Sequence, residues 1–235
     1  MTLTRSASGP RAVLLPGAGS DDEFVRAVFE GPLRSLGVPL ITPGPGLPGE
    51  HVSALSEAAE QGPVLAGGIS LGAHLAAAWT VKNPNRCIGL LLAMPAWIGR
   101  SADQPAAVAA RLGAASAREL GLSEALDRAC AGVDPWLAAE LRRSWTRHGA
   151  GLADVLDAAA ATPAPTLAEL STITVPAGVV ACVDDPLHPL QVAMDWHRAL
   201  PRSALGVSTL SALGADRESL GRAALLAYLR ADGRR

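Results

Sequence analysis

Ser70 stands between Gly68 and Gly72, at the end of the apolar run Val64-Leu65-Ala66-Gly67-Gly68-Ile69 and at the head of Leu71-Gly72-Ala73-His74-Leu75. The pattern reads as a buried strand, a sharp turn and a helix, with the serine at the apex. A chain that reverses so tightly has no room for side chains two residues either side of the bend, so both places call for glycine. Such a turn lifts a hydroxyl clear of the sheet at a helix N-terminus, placed to attack a carbonyl carbon. The tetrahedral intermediate of that attack carries a full negative charge on oxygen and needs two fixed N–H donors about 2.7–3.1 Å away. The Leu71 amide, at the start of the helix, is one candidate donor. The Ala18 amide, between Gly17 and Gly19 after another apolar run, is the other. With 24 glycines in 235 residues the G-x-S-x-G spacing alone is a weak signal, and the strand-to-helix context is what strengthens it. An ordinary serine N-cap is the plain alternative at the same turn.

A serine hydroxyl keeps its proton at neutral pH unless a base stands beside it. Asp184 and Asp185 follow a second apolar run and precede Pro186, and either suits a turn or helix entry. His188 lies three residues beyond Asp185 in the same loop, within reach of a hydrogen bond to it. His74, one helical turn past Ser70, is a second imidazole near the bend. His51 and His148 begin and end helices, and His197 lies on an amphipathic one, so surface charge or hydrogen-bonding roles are expected of all three.

The elements that must hold these groups alternate between strand and helix. Residues 11–16 read as a strand, and Ser20 with Glu23 forms a capping box for a helix running to about Leu36 and stopped by Gly37. A second strand is expected at 38–42, a helix at 52–61, the third strand at 63–68, a helix at 73–82 and a fourth, fully apolar strand at 87–93. From 101 to 170 the chain is alanine-rich and helical, with helices near 104–112, 115–120, 123–130, 134–148 and 152–161. Strands at 175–183 and 204–210 then alternate with helices at 190–200 and 216–229. Six strands with interleaved helices predict an α/β fold, a doubly wound, mostly parallel sheet. Its core would comprise residues 1–100 and 171–235, with 101–170 inserted as a helical lid.

Composition narrows the function. At 49% hydrophobic, 18% charged and a net charge of −2, the chain lacks the basic footprint of a nucleic-acid or membrane-surface protein. Cys87, Cys130 and Cys182 are odd in number and far apart, as expected of thiols in a reducing compartment. No CxxC or histidine cluster offers a metal site. Residues 1–10 lack the apolar stretch of a secretory leader, so the cytoplasm is the expected location. The stretch Gly44-Pro45-Gly46-Leu47-Pro48-Gly49 matches G-x-G-x-x-G in form, but its two prolines remove amide donors a pyrophosphate would need. The expected partner is therefore a small-molecule substrate with no cofactor, and a homo-oligomer is left open.

The chain resembles the α/β-hydrolase superfamily over nearly its whole length. Four landmarks appear in the family order: Leu14-Leu15-Pro16-Gly17-Ala18-Gly19, similar to the H-G-x-G oxyanion loop but with Pro16 for histidine; the Ser70 elbow; the helical insertion; and Val183-Asp184-Asp185-Pro186-Leu187-His188-Pro189, similar to the D-x-x-x-P acid loop. The resemblance implies Asp185 as the triad acid. Gly17, in the oxyanion-like loop, and Trp97, at the carboxyl end of the fourth strand where such sheets bind ligands, are the expected substrate contacts, with plain core packing the alternative for Trp97. It also implies a histidine after the last strand, yet the chain there reads Ser211-Ala212-Leu213-Gly214-Ala215-Asp216. Three explanations compete: His188 (or, less directly, His74) has taken over the role, the fold is kept for chemistry without a serine–histidine pair, or Ala215 is a substitution. The expected activity is hydrolysis of an ester, thioester or related acyl compound with an apolar portion, with Ser70, His188 and Asp185 catalytic. The alternative is a non-hydrolytic member that binds a ligand or performs cyclase- or lyase-type chemistry.

Overall fold

The computed structural model describes residues 9–101 and 103–233; residues 1–8 of the stretch read for a leader lie outside it. Six strands, β1 (Ala12–Leu15), β2 (Leu40–Ile41), β3 (Val64–Ile69), β4 (Cys87–Ala93), β5 (Ala177–Cys182) and β6 (Ser203–Ser208), form one sheet in the order β2-β1-β3-β4-β5-β6. Every pairing is parallel. Successive residues of a strand face opposite sides of a sheet, and here both sides are apolar. Ala12, Leu14, Leu91 and Val180 pack beneath α1 (Asp22–Arg34) and α10 (Glu218–Ala231), whose Val28, Phe29, Leu33, Leu220 and Ala224 close that layer. Val13, Leu15, Leu90, Leu92 and Val179 face α2 (Pro48–Ala58), α3 (Leu71–Lys82) and α8 (Leu190–Ala199), which contribute Leu55, Trp79 and Trp196.

The chain leaves β1 toward β2 and then returns past β1 to β3, so the strand order reverses between β1 and β3. In such sheets ligands bind outside the carboxyl ends of the strands at this reversal. The loop after β1 carries Ala18 and the turn after β3 carries Ser70, so the two proposed sources of chemistry flank that point.

Between β4 and β5 the chain is helical: α4 (Pro105–Cys130), α5 (Pro135–His148), α6 (Leu152–Ala161) and the short α7 (Leu167–Leu170). Of the three helices expected over 104–130, the first two run together, while the break expected before the third is present: Gly121 takes the non-helical φ 81° and ψ 166°, so α4 is two helical segments joined at a kink. The block has a small core of its own, including Ala114, Leu126, Trp145, Leu152 and Leu156, and Ala18 and Ala110 pack at once against this core and against the sheet's.

Three local expectations are corrected. The cap of α1 is Asp21, not Ser20: the Asp21 carboxylate accepts from the amides of Glu23 (3.1 Å) and Phe24 (3.2 Å). The second strand shrinks to two residues at the sheet edge, where one side of the ladder has no partner. Leu210 leaves the last strand and opens α9 (Leu210–Ala215), because the Thr209 hydroxyl accepts from the Ala212 amide at 2.9 Å and starts a helix there. No helix among the described residues is long and apolar enough to cross a membrane.

Candidate active site

The elbow is sterically forced. A Cβ on Gly72 would stand 2.1 Å from the Leu15 carbonyl oxygen, and one on Gly68 (φ 156°) would stand 2.3 Å from the same atom. Ser70 between them takes φ 53° and ψ −114°, outside the regions open to most L-residues. Its hydroxyl does not cap α3. Backbone bonds pin the turn instead: the Ser70 amide donates to Ala93 O (2.8 Å), and Ser70 O accepts from the amides of Ala73 (3.0 Å) and His74 (3.2 Å).

The Ser70 hydroxyl donates to His188 Nε2 at 2.9 Å, and His188 Nδ1 donates to Asp185 Oδ2 at 2.8 Å. An ionised carboxylate only accepts, so the ring proton belongs on Nδ1, which leaves Nε2 unprotonated toward the serine. Asp185 Oδ1 accepts from the amides of Leu187 (2.7 Å) and His188 (3.2 Å), so both carboxylate oxygens hold the loop that carries the imidazole. Burial pushes the Asp185 carboxyl up, but the hydrogen bonds and charge of His188 and the two loop amides hold it below its usual value. Asp184, the other candidate acid, points elsewhere: its Oδ1 accepts from the Leu210 amide at 2.7 Å and ties the loop to the start of α9. Ser70 and His188 are both half-buried.

Beside the serine, Leu71 is the first residue of α3, so its N–H has no acceptor within the helix. The loop after β1 turns back at residues 17–20, closed by Ser20 N to Gly17 O at 3.1 Å with Gly19 at φ 67°. A Cβ on Gly17 would lie 3.5 Å from Ser70 Cβ, so this loop runs alongside the serine with Ala18 at its bend.

His74 is fully buried, and its hydrogen bond goes to the backbone beyond β4, whereas the reacting hydroxyl is bonded to His188. Its Nε2 accepts from the Ala96 amide at 2.9 Å, and its ring meets Trp97 edge-on at 4.5 Å and Trp196 at 5.5 Å. Burial, with the nearby His188 adding to it, pushes its pKa down to about 3, so it stays neutral. Trp97 is 3% exposed and lies within the wall behind the site rather than on its surface. His51 is also buried, not a surface residue as expected, with Nε2 donating to Gly44 O at 3.2 Å. Ala215, where the resemblance calls for a histidine, is exposed at the end of α9. Its neighbours Gly214 and Arg217 both receive Trp136 of α5: a Cβ on Gly214 would meet the indole at 2.5 Å, and the guanidinium lies 4.4 Å over its ring.

The serine aminopeptidase, S33, family profile matches residues 49–210, well over half of the chain. The chain belongs to this family. Like the superfamily around it, the S33 chain has solved structural relatives with the same fold. An esterase from Thermogutta terrifontis aligns at TM-score 0.73 and 18% identity, covering 94% of this chain and 90% of the other. A hydrolase from Oleispira antarctica aligns at 0.72 and 15%, with 94% and 92% covered. The enol-lactonase from Burkholderia xenovorans LB400 aligns at 0.71 and 16%, with the same 94% and 92%. No curated protein sequence matches the chain. The matched span of the S33 family contains Ser70, Asp185 and His188 and leaves out the loop with Ala18.

Sequence reasoning missed one group near the site. Asp21, fully buried beside the turn at 17–20, accepts from both Nη atoms of Arg143 and from Arg147 Nη1, each contact at 2.7 Å. The signal was present: Arg143 and Arg147 are four apart on a helix and so share a face, and Asp21-Asp22-Glu23 is an acidic run that needs a counter-charge.

Proposed function

We propose that this chain is a serine hydrolase acting on an ester, thioester or related acyl compound with an apolar portion. Ser70 attacks the acyl carbon while His188 takes its proton at Nε2 and later returns it to the leaving group. Asp185 holds the imidazole in the required tautomer and stabilises it once charged. The amides of Leu71 and Ala18 receive the negative oxygen of the tetrahedral intermediate. Water then repeats the sequence on the acyl-enzyme, with no cofactor in any step.

The observation that carries this reading is the single imidazole bonded at once to Ser70 Oγ (2.9 Å) and Asp185 Oδ2 (2.8 Å). An apolar acyl portion is supported by the seam beside the serine, where Ala18 and Ala110 lie between the two cores. The helices of residues 105–170 would then act as the lid over it.

A fluorophosphonate probe and a short p-nitrophenyl ester test the reading. The wild-type protein should be labelled and should turn over the ester, and Ser70→Ala should abolish both. His188→Ala should lower kcat by roughly 10⁴–10⁶. A folded wild-type protein inert to both reagents would overturn the reading in favour of ligand binding or non-hydrolytic chemistry.

A further inference from the structure

The three residues that follow Ala18 are each held by the last two turns of α5. A Cβ on Gly19 would stand 2.8 Å from Trp145 Nε1, so the indole closes tightly on the backbone there. Ser20 O accepts from His148 Nε2 at 3.0 Å. Asp21 is gripped by the Arg143 fork and by Arg147. Burial pushes the Asp21 carboxyl up, but the arginines and its cap to the Phe24 amide outweigh that and keep it ionised.

We propose that Arg143, Arg147 and His148 are positioning residues for the oxyanion loop: through Ser20 and Asp21 they fix the direction of the Ala18 amide. The inference rests on the reading of Ala18 given above. Its physical basis is that a Gly-Ala-Gly turn has soft dihedrals and does not hold an N–H in one direction unaided. Stabilising an oxyanion requires donors set in place before the charge develops, and a displacement near 1 Å can cost up to about a hundredfold in rate. The loop's entry is fixed by β1 and its exit by the N-terminus of α1. The bend between them is braced from the side by α5, which belongs to the helical block and not to the sheet. A device that merely fastened the block would serve as well anywhere along the seam, whereas these contacts fall on successive residues next to the proposed donor.

His148→Ala, His148→Gln and Arg147→Gln test this in the full chain, since both positions are at least partly exposed and Arg143 still pairs with Asp21 in each variant. The measurements are kcat and KM for p-nitrophenyl butyrate per serine titrated with fluorophosphonate, and the Ki of an arylboronic acid, whose tetrahedral adduct places an oxygen in the oxyanion site. His148→Ala should lower kcat about tenfold with KM changed less than about twofold, and the boronate Ki should rise in step. His148→Gln, whose side-chain N–H can reach the same carbonyl, should recover most of the loss, and Arg147→Gln should behave as a milder His148→Ala. Wild-type kcat and Ki in folded His148→Ala and Arg147→Gln would overturn the proposal, even with a lower Tm, because that is what a fastener alone predicts. A wild-type protein inert to probe and ester would overturn the hydrolase reading and this inference with it, an outcome distinct from active wild type with unaffected variants.

Discussion

At the scale of single residues, the site depends on which nitrogen carries which proton. Asp185 fixes this for His188 by accepting at Nδ1. Asp185→Asn keeps the size of the side chain but can present an N–H to Nδ1, which favours the wrong tautomer. It should lower kcat by about 10⁴ with the fold intact by circular dichroism. His74 offers a contrast in the same neighbourhood. Its folded pKa, about 3, lies below the ordinary 6.5 of an unfolded histidine. Between those values the unfolded chain binds the extra proton, so stability rises with pH across the window and is lost as pH falls from 6.5 toward 3. One such group contributes a slope of up to about 1.4 kcal/mol per pH unit. Urea unfolding from pH 4 to 7 should show a shallower slope for His74→Gln, which keeps an acceptor for the Ala96 amide and does not titrate.

At the scale of elements, what was legible in the sequence is what backbone sterics decide. The elbow could be read because Gly68 and Gly72 answer to one backbone atom of the adjacent strand, the Leu15 carbonyl oxygen, which is there whatever the side chains around it. Gly72→Ala would drive a methyl into that backbone oxygen and should cost about 3 kcal/mol or more in urea unfolding. The bond between Asp185 and His188 could be anticipated because a loop brings i and i+3 together without help from the rest of the chain. The misreadings have the opposite character. Ser20 and Asp21 are equally good caps by type, and what selects Asp21 is a pair of arginines more than a hundred positions away. His51 looks like a surface residue on α2 until the loop with Gly44 folds over it. The helix at 210–215 was hidden because Leu210 continues an apolar run and only the Thr209 cap breaks it. The block's helices were visible as helices, and Gly121 does interrupt the helix as a glycine there suggests; what stayed hidden was the continuity through Gly113, which the helix carries without a break.

At the scale of the whole molecule, α5 joins regions that the sheet keeps apart. Trp136 near its first turn sits on Gly214 and Arg217, and the last turns hold Gly19, Ser20 and Asp21. Asp21→Ala removes the α1 cap and the carboxylate that Arg143 and Arg147 share, while Arg143 keeps Glu23 and Glu140 and Arg147 keeps Asp22. Losing a cap and hydrogen bonds to charged groups costs about 1–3 kcal/mol, and thermal unfolding should show a loss of that order. With the depressed pKa of Asp21, the stability it contributes is present above the unfolded carboxylate value of 3.8 and is lost as pH falls through the lower folded value.

The carboxylate and the imidazole arrive on one short loop, residues 185–188, whereas a chain carrying its histidine past the last strand must assemble them from two. Sliding of β6 against β5 therefore leaves that bond unstretched, and the one gap exposed to breathing of the sheet is the reach across the end of β4 to Ser70. The pair is portable: grafted as four consecutive residues onto the end of a strand two places away in another parallel sheet, it would bring its own internal alignment and need only a hydroxyl at the right span.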